Sequence, residues 1–116
     1  MVKPLNLYLI HWNLAEAAEK ARRLEVHGHS VHFELPPVPT LLRQLGEQHL
    51  DIILIDLSRL PSQGRDIGVA LRQTKATRYI PLVFLEGEKQ KVERVRELLP
   101  DATYSSWETI EDTLEH

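Results

Sequence analysis

Short apolar runs alternate along this chain with stretches in which apolar residues recur every three or four positions. The first arrangement suits buried strands, the second helices with one face against a core. Leu5 to Ile10 is a Leu/Tyr/Ile-rich strand, and Asn13 caps a helix whose Leu14, Ala17, Ala18, Ala21 and Leu24 face inward. Gly28 supplies the left-handed residue that ends it. Ser30 to Glu34 is a weaker strand, and ELPPVPT is a stiff loop from which Thr40 starts a short helix carrying Leu41, Leu42 and Leu45. Asp51 to Leu57, DIILIDL, is the clearest strand: consecutive branched aliphatics without alternation predict burial on both faces and a central place in a sheet.

The loop SRLPSQGRD leads into a helix with Ile67, Ala70 and Leu71 inside, and Pro81 opens the strand PLVFLE. EKQKVERVRELL is amphipathic, with Val92, Val95 and Leu99 inside and charges outside. A last strand around Ala102 to Ser106 precedes a helix from about Glu108. Five strands and five helices in alternation predict an α/β domain with a doubly wound parallel sheet. Right-handed crossovers favour the flavodoxin-like order 2-1-3-4-5. The functional crevice of such a sheet lies at the carboxyl ends of strands 1 and 3. The residues there are His11, Trp12 and Asn13, then Asp56 to Ser58, with Glu86 and Gly87, and Ser106, Trp107 and Glu108, after strands 4 and 5.

Composition narrows the chemistry. The 116 residues suit one domain, and a formal net charge of −3 without a basic block gives no argument for nucleic acid. Cysteine is absent, which excludes disulfides and thiolate chemistry and fits a reducing cytoplasm. No apolar run approaches the roughly 20 residues that cross a membrane. Leu114, Glu115 and His116 read as the start of an expression tag, leaving residues 1–113 as the domain.

Three segments together resemble the receiver domain of two-component response regulators, over nearly the whole chain. LEVHGHSVHFE is similar to the family's first helix end and second strand. DIILIDLSRLPSQG is similar to the strand that carries its phosphorylated aspartate, and LRQTKATRYIPLVFLEG to its third helix and fourth strand. In that register Asp56 matches the phosphoacceptor and Tyr104 the aromatic residue that switches rotamer on activation. The other functional positions depart. His11 and Trp12 stand where the family has an acidic pair for Mg²⁺, Glu86 where it has a Thr or Ser, and Trp107, followed by Glu108, where it has a Lys followed by Pro.

These departures predict a degenerate receiver. Mg²⁺ prefers oxygen ligands in octahedral geometry, so a lone Asp56 beside an imidazole predicts no metal and no other cofactor. Phosphoryl transfer between anions then lacks charge neutralisation. Asp56 reads as a relic carboxylate capping a backbone amide; residual phosphorylation, or another cation held with His11, are the alternatives. Trp12 and Trp107 are expected to plug the former pocket. His27, His29 and His32 straddle a helix end and a strand and read as surface or loop residues rather than ligands. Glu86 lacks a neighbouring nucleophile, so no enzymatic activity is expected.

The expectation is therefore a cytoplasmic, phosphorylation-independent protein-interaction module of bacterial signal transduction. A working phosphorelay receiver using Asp56 is the first alternative, and a small ligand-binding or enzymatic domain on the same fold the second. The resemblance implies a protein partner or attached output domain, and a homodimer face on the fourth helix, fifth strand and fifth helix. There Lys89, Lys91, Arg94 and Arg96 mingle with Glu88, Glu93 and Glu97. Charge and the short apolar runs give the further expectation of no direct contact with nucleic acid or membrane.

Overall fold

The computed structural model describes residues 3–115. Its elements are β1 (Asn6–Ile10), α1 (Leu14–Val26), β2 (Ser30–His32), α2 (Val38–Glu47), β3 (Ile52–Asp56), α3 (Pro61–Gln73), β4 (Leu82–Leu85), α4 (Lys89–Leu98), β5 (Thr103–Ser105) and α5 (Ile110–Leu114). All strand pairs are parallel and the order is β2-β1-β3-β4-β5, as the alternation predicts. No described helix is long and apolar enough to cross a membrane.

Side-chain alternation splits the core in two. Tyr8, Ile10, Ile53, Ile55, Leu82 and Phe84 face α2, α3 and α4, meeting Leu41, Leu45, Ile67, Leu71, Val95 and Leu99. Their strand neighbours Leu7, Leu9, Leu54, Val83 and Leu85 face α1 and α5, meeting Ala17, Ala21, Leu24 and Ile110. Gly64 and Gly68 bring α3 close to the sheet. A Cβ on Gly68 would stand 2.8 Å from both Leu99 Cδ1 and Phe84 Cζ, and one on Gly64 2.7 Å from Leu57 Cδ2.

Four local expectations change. Helix α2 begins at Val38, inside the expected loop, because Pro39, in its first turn, has a fixed φ suited to a helix start and needs no amide partner there, while Pro37 is its N-cap. Helix α3 begins at Pro61 for the same reason, within the expected SRLPSQGRD loop. Leu14 is 70% exposed, since the first helical residue projects past the end of the sheet. His29 is buried: its Nδ1 accepts the Leu5 backbone N–H at 3.1 Å, tying β1 to the turn before β2. Burial first, and then His27, lower its pKa, with Glu111 opposing. Leu114 is buried against the α1–α5 side of the core, whereas His116, also assigned to the expected tag, lies outside the described residues.

Candidate functional site

The parity that divides the core also decides which residues meet at the strand tips. Asp56 has the parity of Leu54, and His11 that of Leu7 and Leu9, so both extend the α1–α5 face. Trp12 has the parity of Tyr8 and Ile10 and packs on the other face, where its Cη2 would lie 3.7 Å from a Cβ on Gly64. The two indoles therefore separate. Trp107 alone reaches Asp56, donating its Nε1–H to Asp56 Oδ2 at 2.7 Å.

Asp56 is 1% exposed and Trp107 6%. The second carboxylate oxygen, Oδ1, accepts the Ser58 backbone N–H at 2.8 Å and the Ser58 hydroxyl. His11 Nε2 lies 3.6 Å from Oδ2, a close approach rather than a hydrogen bond. The Asn13 N–H donates to His11 Nδ1 at 3.1 Å, which in a neutral imidazole leaves the proton on Nε2, toward Asp56. Both oxygens of a desolvated carboxylate are thus engaged by donors of the chain itself, which is what makes burial of such a group tolerable.

Trp107 is held on every side. Its backbone N–H donates to Glu86 Oε2 at 2.7 Å, and its carbonyl accepts from Arg23 Nη2. Arg23 also grips Glu111 through two bonds of 2.8 and 2.9 Å, and Lys20 Nζ sits 5.6 Å from the Trp107 ring centroid. The hydrogen bond to Glu111 raises the Arg23 pKa, and the same bond lowers that of Glu111. Glu86 adopts φ = +64°, followed by Gly87 at +99°, a turn that brings its carboxylate back to the β5–α5 loop. That left-handed conformation is uncommon outside Gly, Asn and Asp, so Glu86 sits at a local strain that its bond to Trp107 offsets.

Ser58 is one of the strand-tip residues, whereas Lys20, Arg23 and Glu111 are participants that reading strand tips alone does not find. The signal for two of them is helical: Glu16, Lys20 and Arg23 follow at i, i+4 and i+7 and form one stripe beside the buried Ala17, Ala21 and Leu24. Tyr104 stands apart from this cluster. It stacks on Phe84 with ring centroids 5.4 Å apart, donates its hydroxyl to Leu99 O at 2.8 Å, and lies under Arg96 at 4.7 Å. Burial raises its pKa, an effect that Arg96 opposes. Among the described residues no three His, Asp or Glu side chains stand together as a metal-binding group, and His27, His29 and His32 do not converge.

No protein-family model matches the sequence, and no curated protein matches it. Solved structures do match in shape. A chemotaxis protein of Vibrio cholerae, CheY4, superposes with a TM-score of 0.74 at 17% identity, covering 97% of each chain. The receiver domain of a sensor histidine kinase from Pseudomonas aeruginosa, solved with magnesium in its active-site cleft, gives 0.72 at 19% identity, covering 97% of this chain and 95% of that one. The signal receiver domain of a modulated diguanylate cyclase from Desulfovibrio desulfuricans gives 0.73 at 17%, covering 97% and 92%. In its topology and over nearly its whole length, this chain has the CheY-like fold of response-regulator receiver domains.

Proposed function

We propose that this chain is a degenerate receiver that acts as a phosphorylation-independent interaction module in signal transduction. The observation that carries the reading is the 2.7 Å bond from Trp107 Nε1–H to Asp56 Oδ2 on a carboxylate that is 1% exposed. A phosphoryl donor must approach a carboxylate oxygen in line, and here one oxygen faces an indole and the other a Ser58 donor pair. The donor set also does not fit Mg²⁺. It offers one carboxylate already engaged, an imidazole whose Nδ1 is in use, and an indole N–H with no lone pair to give.

The geometry instead favours a fixed state. Lys20, Arg23 and Glu86 hold Trp107 from α1 and from the end of β4, and Tyr104 is tied to Leu99 O. In this reading the domain is cytoplasmic and presents a constant surface to a protein partner, an output domain or a second copy. One such surface is the groove of about 610 Å³ along α4, β5 and α5, lined by Lys89, Glu93, Arg96, Tyr104 and Thr109 among others.

The test is incubation with acetyl phosphate and Mg²⁺ followed by intact-mass analysis, with Asp56→Asn as control. The reading expects no phosphoryl adduct on either protein. An adduct on the wild type that Asp56→Asn abolishes contradicts it.

A further inference from the structure

The side of α4 that faces away from Tyr104 carries a second feature. Arg65 of α3 and Lys91 and Arg94 of α4 line one cleft with Ser62, and no carboxylate lines it. In a chain of net charge −3 this is a local reversal of sign. Arg65 has a carboxylate nearby, its sequence neighbour Asp66 at 3.3 Å, in an exposed pair of small energetic weight. Lys91 and Arg94 have no carboxylate within 4.0 Å among the described residues, while Glu93 turns the other way to pair with Arg96 at 3.5 Å. Helix α3 begins here with no side-chain cap and no acid in its first turn, so its positive end adds to the field.

The shape excludes a small enclosed anion. The cleft has room for about 10 Å³, at most a single water, so whatever neutralises these charges must lie across it. Lys91, Arg94 and Leu98 follow at i, i+3 and i+7 along α4 and form one stripe, and Leu98 is 58% exposed. Leu60, 39% exposed, directly precedes Pro61, which lines the cleft at the start of α3. A basic centre between two exposed leucines complements an extended ligand with carboxylates in its middle and apolar side chains at its ends.

We infer that the α3–α4 cleft docks an acidic, leucine-flanked segment of a partner protein. This rests on the interaction-module reading and names the chemistry of the partner, on a face distinct from the α4–β5–α5 groove. The ionic part is screened by salt, and the leucine contacts are not.

The probe is a short synthetic peptide of glutamates bracketed by leucines, titrated into ¹⁵N-labelled protein at low salt beside inorganic phosphate of equal charge. Saturable shifts at the amides of Ser62, Gln63 and the Lys91–Leu98 stretch are expected for the peptide. Arg65→Glu with Arg94→Glu should weaken it by about tenfold or more. These residues lie outside the core, and Lys91→Glu alone, expected to give a smaller loss in the same direction, serves if the double variant folds poorly. Shifts confined to another face, unchanged binding in the charge-reversed variants, or equal saturation by phosphate would each overturn the inference. Repeating the titration with Asp56→Asn keeps the two ideas apart. Unchanged peptide binding there, together with phosphorylation of the wild type, would retain this docking site and remove the phosphorylation-independent reading.

Discussion

Replacing Trp107 with Phe removes one hydrogen-bond donor from a buried carboxylate while keeping most of the aromatic packing. A hydrogen bond to a charged group contributes about 1.5–3 kcal/mol, and here the orphaned oxygen stays in a site that is 1% exposed. The lost ring volume adds roughly 1 kcal/mol of cavity cost, so Trp107→Phe should destabilise the fold by about 3 kcal/mol. The two contributions separate in a double-mutant cycle with Asp56→Ala. Once the carboxylate is gone, Trp107→Phe should cost only its packing share, leaving a coupling of about 2 kcal/mol. Urea unfolding followed by far-ultraviolet circular dichroism measures all four proteins without relying on the altered fluorophore. A coupling within about 0.5 kcal/mol of zero would refute the argument, because the bond at 2.7 Å would then contribute nothing beyond contact.

Two further outcomes follow from the packing and the buried histidine. Gly68→Ala should lose about 1–3 kcal/mol in the same unfolding assay, since its Cβ would meet Leu99 and Phe84 at 2.8 Å; an unchanged urea midpoint would mean that α3 shifts freely. His29 has a lowered pKa in the fold, so the unfolded chain takes up its proton first as pH falls. Its contribution is complete above the unfolded value near 6.5 and is lost as pH drops below it, so the urea midpoint should fall between pH 7.5 and pH 5.5, and His29→Gln should flatten that slope.

The fold was legible because strands buried on both faces cannot hide: Ile52 to Ile55 has no polar residue to suggest an edge. The sheet order follows from that central strand and right-handed crossovers. Helix starts were less legible. Pro39 and Pro61 read as loop residues, yet proline is at home in a first helical turn. The resemblance carried the Asp56 register, while the partner of Asp56 required the pleat. Both tryptophans sit at strand tips, but Trp12 shares parity with Tyr8 and Ile10 and so leaves the face on which Asp56 lies. The left-handed turn at Glu86, which carries its carboxylate to the Trp107 amide, has no sequence signal beyond the Gly that follows. The burial of His29 likewise depends on a contact 24 residues away in sequence, with Leu5, that no local pattern encodes.

Trp107 closing Asp56 against phosphoryl chemistry is most directly tested by tryptophan fluorescence, since Trp107 donates to Asp56 while the second tryptophan, Trp12, packs on the other face of the sheet. Magnesium is added first and beryllofluoride, a phosphoryl mimic, second, to the wild type and to Asp56→Asn. With the carboxylate closed, neither protein shows a saturable change up to tens of millimolar magnesium. A saturable change in the wild type that vanishes in Asp56→Asn would contradict that closure, showing that the indole yields and that the carboxylate still takes metal and phosphoryl.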